Sequence, residues 1–185
     1  MEAIASVPPI TIGGNWVDQV KDSIPDTAKD IRLNLDAVIN RSPFDPVDTH
    51  AIAYVAALAA GNGGLAFEIE MNSPLFLNEA EREATKAAAA LMGMNNIWYP
   101  FVEMTGDPEL KGLPPGLRMN VYANHGGVSK QKFEMYALAA SIVGKCEHCV
   151  KSHYDILKAG GMTVQQLQAV GKIAAIVNAI GKVAI

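Results

Sequence analysis

Alanine-rich stretches with apolar residues three and four positions apart recur through most of this 185-residue chain. No stretch alternates apolar and polar residues with the β-branched types that fill strands. That pattern admits one fold class, all-α. Half of the residues are apolar (50%), enough to bury a sizeable core in one domain or in two small, closely packed halves.

Local punctuation sets the expected helices. A first helix is expected after Pro25, through "DTAKDIRLNLDAVIN", and Ser42, Pro43 and Pro46 interrupt before "VDTHAIAYVAALAA". "NGG" at 62–64 breaks or caps. "NEAEREATKAAAALMGMNN" reads as a long helix capped by Asn78, with Glu79, Glu81 and Glu83 at its positive end. Gly and Pro between 105 and 130 mark a connection with little room for a long helix. Helices then follow at about 129–143, 146–159 and 163–180, with Gly160 and Gly161 as a stop and Thr163 as a cap.

Charge and hydropathy narrow the partners. Fifteen Lys and Arg against 19 Asp and Glu give a net charge of −4 with no long run of one sign, so no basic surface for nucleic acid is expected. The terminal "VGKIAAIVNAIGKVAI" is apolar, but Lys172 and Lys182 cut it below the length that spans hydrocarbon, which makes it a core helix and argues against a membrane. "MEAIASVPPITIGG" has no basic start and carries Pro8 and Pro9, a poor signal peptide and a surface extension instead.

The tetrapeptide "ALAA" occurs at 57–60 and again at 137–140, an offset of 80 residues that hints at duplication. Carried forward, it sets Tyr54 opposite Glu134, Ala66 opposite Cys146 and Ile69 opposite Cys149, so only the second half holds chemical residues. The expected organisation is an extension (1–14), a structural half (15–104), a connection (105–130) and an active half (131–185).

The only two cysteines lie in "VGKCEHCVKSHYDILKAGG", residues 143–161. A single close pair, unlike the framework of a secreted domain, suggests redox or metal chemistry in a reducing compartment, with the cytoplasm as the default. On a helix starting near Cys146, Cys146, Cys149 and His153 share one face. A cysteine in a first turn feels the positive end of the helix dipole, which favours thiolate. His153 lies about one turn from Cys149 but roughly 10 Å of rise from Cys146, so Cys149 is the cysteine it can deprotonate. Cys146, nearer the helix end, is expected to be more exposed and to exchange with an outside thiol. Other readings stand beside this one: half a zinc site completed by His148 or His153, or two inert buried thiols. Taken alone, Glu134 reads as a solvated carboxylate, His148 as a surface or capping histidine, and Met92 and Met94 as packing.

The spacing from Glu134 through Cys146 and Cys149 to His153 resembles the E-x11-C-x-x-C-x3-H motif of the alkyl hydroperoxide reductase D (AhpD) family, in the carboxymuconolactone decarboxylase-like superfamily. "AKDIRLNL" at 28–35, "MGMNN" at 92–96 and "PGLRMN" at 115–120 are similar to that family's sequence in the same order. The resemblance implies an AhpD-like helical fold of two related halves, a homotrimer, and a lipoyl-dependent peroxidase of the bacterial cytoplasm that reduces small hydroperoxides. It implies that Cys149 attacks the peroxide, Cys146 resolves it to a redox disulfide, Glu134 and His153 relay the proton, and His148 assists. No bound cofactor or metal is expected. The implied external reductant is dihydrolipoamide, carried by a lipoylated acyltransferase with lipoamide dehydrogenase, and an AhpC-type peroxiredoxin is a further partner. A redox adaptor that only reduces a peroxiredoxin and a decarboxylase-like enzyme are the alternatives.

Overall fold

The computed structural model describes residues 15–72 and 77–183, and the expected extension at 1–14 lies outside them. Helices α1 (Trp16–Ser23), α2 (Lys29–Asn40), α3 (Pro46–Ala59), α4 (Gly63–Asn72), α5 (Glu79–Thr105), α6 (Pro108–Gly112), α7 (Lys130–Gly144), α8 (Glu147–Ala159) and α9 (Val164–Ile180) follow in order, with no strand among the described residues. The all-α reading holds.

Side-chain caps explain where most of these helices begin. Asp45 accepts the Asp48 N–H at 2.8 Å, with Pro46 preset at the first helical position. Asn78 accepts from Glu81, Ser129 from Lys132, and Thr163 closes a reciprocal capping box with Gln166. Helices α3 and α7 form the centre. Each packs on α5 and α9 as well as on the other, and α8 lies against α7. Alanines 51, 53, 56 and 57 on α3, and 137, 139 and 140 on α7, are almost wholly buried. Small side chains on several sides let these helices approach closely on every face.

Three elements differ from expectation. Helix α1 precedes Pro25, where none was expected; Asn15 caps it, and it buries Trp16, Val17 and Val20. Eight residues give too short a period to read. Helix α4 starts at Gly63 inside the expected break, because Asn62 accepts the Leu65 N–H at 3.0 Å and caps it. Helix α5 runs past Asn96 and through Pro100 to Thr105, where Gly106 turns left-handed at φ 64°. A proline there forfeits only one rung of a 27-residue ladder.

Side-chain caps also recur at a regular separation. Asp45 and Ser129 cap α3 and α7, Asn62 and Cys146 cap α4 and α8, and Asn78 and Thr163 cap α5 and α9, at separations of 84, 84 and 85 residues. That is about one helical turn longer than the offset of the "ALAA" pair. It sets His50 opposite Glu134, Asn62 opposite Cys146 and Leu65 opposite Cys149.

A buried polar cluster ties the centre together. The Tyr136 hydroxyl on α7 donates to Glu81 on α5, while Lys132 reaches Glu81 at 2.6 Å and Asp48 on α3 at 3.0 Å. Burial first, and then the Glu81 carboxylate, pushes the Tyr136 phenol well up, so it remains a donor across the neutral range.

Candidate active site

The reversal between α7 and α8 creates the cysteine site. Lys145 adopts the left-handed conformation at φ 56° and donates its N–H to Ile142 and Ser141 carbonyls. Cys146 is thereby delivered as the N-cap of α8, its sulfur accepting the Cys149 N–H at 3.2 Å. The expectation placed Cys146 within the first turn. As a cap it receives a backbone N–H directly as well as the helix field, both of which favour a thiolate when the pair is reduced.

Gly144 makes room for this reversal. A Cβ there would lie 2.1 Å from Nδ2 and 2.5 Å from Cγ of Asn96, whose amide crosses from α5 and donates to the Ala140 carbonyl at 3.1 Å. Gly144→Ala must push the whole Asn96 side chain aside. The expected cost is roughly 1–3 kcal/mol, as for overpacking elsewhere, read as a lower urea midpoint at unchanged slope.

Cys146 and Cys149 form a disulfide with Cα atoms 5.3 Å apart. The expected exposure of Cys146 is not found: Cys146 is 0% and Cys149 4% exposed. The cap position places Cys146 beneath the chain reversal, while the neighbouring Glu147 and His148 take the exposed positions.

Glu134 is likewise buried, at 3%, rather than solvated. It sits on the central helix α7, which has buried residues on every side, and a carboxylate in such a place needs a partner. His153, 5% exposed and on α8 one turn beyond Cys149, supplies it through Nδ1 at 2.6 Å from Glu134 Oε2. The other ring nitrogen, Nε2, lies 3.3 Å from the Met92 sulfur on α5. His148 stands apart from this pair: it is exposed, and its ring stacks on Tyr99 of α5, centroids 4.5 Å apart and planes at 25°. The structure therefore brings together Glu134, His153 and the cysteine-bearing helix, and sends His148 to an aromatic partner instead.

One site residue was missed in the sequence. Met92 was read as packing, although it opens the "MGMNN" block. Tyr122 lies in the connection, in a 3-10 turn at Asn120–Ala123, with its ring edge-on to Phe133 at 5.5 Å. Burial and then the charge of Glu134 push its phenol up. Gly126, at φ 64° and with a Cβ position 2.9 Å from the Ala84 Cα, lets this part of the connection lie directly on α5. Among the described residues, no group of three or more His, Cys, Asp or Glu is placed to hold a metal, and no helix is long and apolar enough to cross a membrane.

These features define a class: a helical protein with a CxxC disulfide at a helix N-terminus and a buried carboxylate–imidazole pair one turn away. Comparison with known proteins gives the family. The family model described as Carboxymuconolactone decarboxylase family matches residues 108–184. The chain is 40% identical over 168 residues to the alkyl hydroperoxide reductase AhpD of Coxiella burnetii, covering 89% of this chain and 94% of that protein. It is 38% identical over 167 residues to the AhpD of Rhodospirillum centenum, with 90% and 89% covered. The AhpD of Streptomyces avermitilis is 38% identical over 165 residues, with 89% and 93% covered. The chain belongs to the AhpD family of the carboxymuconolactone decarboxylase-like superfamily.

Proposed function

We propose that this protein is a thiol-based alkyl hydroperoxide reductase, a homotrimer of the bacterial cytoplasm that draws electrons from a dihydrolipoyl group. The observation that carries the reading is the buried Glu134–His153 contact one turn from Cys149. A module that only carries electrons does not have to deprotonate a thiol against peroxide. A peroxidase does, because the attacking cysteine must lose its proton as peroxide enters. The names of the AhpD relatives support the same activity.

In this mechanism His153, oriented by Glu134, takes the Cys149 proton. The Cys149 thiolate attacks one peroxide oxygen and the O–O bond breaks, leaving a sulfenic acid and an alcohol or water. Cys146 then displaces the sulfenic oxygen as water and forms the disulfide before further oxidation. An external dithiol attacks Cys146 and resets the pair. Since Cys146 is wholly buried, that attack requires the first turn of α8, with His148 on Tyr99, to open. A lipoyl arm suits such a site: it is slender, and its second sulfur resolves the mixed disulfide intramolecularly. A peroxiredoxin of the AhpC type is a further acceptor of electrons from the reduced pair. Light scattering is expected to give three chains per particle.

Direct contact with peroxide is tested by Cys146→Ser. This variant should react once and stop, holding a sulfenic acid on Cys149 that a dimedone-type reagent traps and mass spectrometry locates. Trapping on Cys146 of the Cys149→Ser variant, with none in Cys146→Ser, reverses the two roles. The absence of a trapped sulfenic acid in both favours an adaptor.

A further inference from the structure

Met92 is buried to 0% exposure on α5 and touches Nε2, the ring nitrogen of His153 that does not face Glu134. With the cysteines joined as a disulfide, there is no thiol for His153 to serve. Each imidazole nitrogen nevertheless faces an acceptor: a carboxylate oxygen at 2.6 Å from Nδ1 and a thioether sulfur at 3.3 Å from Nε2. This arrangement suits a ring carrying protons on both nitrogens, Nδ1–H donating to Glu134 and Nε2–H to Met92. The two acceptors are of very different strength. An ionised carboxylate holds its N–H firmly. A thioether is a weak acceptor with no donor of its own, so it gives a buried N–H a partner without competing for the groups around it.

We propose that Met92 is a positioning residue that holds the Nε2–H of His153 while the cysteine pair is oxidised and releases it when the disulfide is opened. The inference rests on the redox reading above and adds a residue to its reductive half. A thiolate of the incoming dithiol attacks Cys146, forming a new S–S bond; the Cys146–Cys149 bond breaks and its electron pair departs on the Cys149 sulfur. The Nε2 proton of His153 passes to that sulfur, giving a Cys149 thiol and an imidazole with a free Nε2 lone pair. The second sulfur of the dithiol, as thiolate, then displaces Cys146, so the dithiol is oxidised and the protein disulfide reduced by two electrons. The ring that gave up its Nε2 proton is the base that the next peroxide requires. One nitrogen thus serves both halves of the cycle, and the soft contact with Met92 is what it rests on between them.

Met92→Leu removes the sulfur at nearly constant volume, a swap that cores tolerate. Side-chain 15N–1H spectra of the oxidised wild-type protein, assigned with His153→Gln, should show two His153 N–H signals, the Nε2–H slowed in exchange with water. In Met92→Leu the Nε2–H should be lost to exchange while the Nδ1–H, held by Glu134, remains. Reduction of the disulfide by dithiothreitol should slow by about two- to tenfold, because the ring less often carries and aims the proton that Cys149 takes, and one modest hydrogen bond shifts such a population by that range. A merely structural methionine would change the melting temperature without touching this signal. Unchanged His153 signals and an unchanged reduction rate in Met92→Leu overturn the proposal. If that variant does not fold, the wild-type protein decides alone: no protected Nε2–H in the oxidised state overturns it too. None of these measurements uses peroxide, so a protein inactive as a peroxidase would refute the proposed function while leaving the Met92 reading to stand or fall on the spectra and the reduction rate.

Discussion

Cys149→Ser is expected to abolish peroxide consumption, leaving only the background reaction of peroxide with buffer and donor. Serine preserves the shape of the site, and the loss therefore isolates the sulfur. The reasoning is positional. Cys149 is the cysteine one turn from His153, whereas Cys146 caps the helix from beneath the chain reversal. A serine hydroxyl at 149 cannot form the thiolate that attacks an O–O bond, and Cys146 lies about two helical turns from His153. Peroxide loss followed by a colorimetric assay, with the fold checked by circular dichroism, measures this. Retained consumption at more than a few per cent of wild type would move the attack to Cys146.

Glu134→Gln and His153→Gln carry the second large effect. Either change should slow oxidation of the reduced cysteine pair by roughly 10²–10⁴, the usual worth of a positioned general base. The disulfide in the same variants should be reduced with a loss of no more than about tenfold, because a cysteine thiolate departs adequately without a proton partner. Glu134→Gln keeps size and polarity but loses the charge that orients the Nδ1–H, so its loss should be the smaller of the two. Combined, the substitutions should cost little more than His153→Gln alone, since the pair acts as one unit. Stopped-flow traces of the two half-reactions separate these effects. An adaptor predicts oxidation rates that scarcely move in either variant.

Much of the fold was legible because helix starts are written in short side chains. Asn78, Ser129 and Thr163 each cap the helix expected there, and the long helices between them carry enough turns for their periodicity to show. Helix α4 was hidden because Gly63 and Gly64 signal a break to local reasoning, while Asn62 turns the same place into a start. The offset of the "ALAA" pair differs from the cap separations for a related reason: alanine runs match one another at several offsets, whereas caps match at one. At the site, the cysteines and His153 could be set on one face from spacing alone. The burial of Glu134 could not be read from its own identity, yet its neighbours contained the signal. Phe133, Met135, Tyr136, Ala137 and Leu138 surround α7 with apolar residues on all sides, the mark of a central helix. The burial of Cys146, the stacking of His148 on Tyr99 and the contact of Met92 with His153 depend on how α5 crosses α7 and α8. No local pattern encodes that crossing.

The most direct measurement of the central claim is turnover in a minimal system: the purified protein, an organic hydroperoxide, a lipoyl carrier, lipoamide dehydrogenase and NADH, with no peroxiredoxin present. The account predicts sustained NADH oxidation that requires both Cys146 and Cys149, and a far lower rate when thioredoxin and its reductase replace the lipoyl pair. No turnover until a peroxiredoxin is added would contradict it and make the protein an electron carrier.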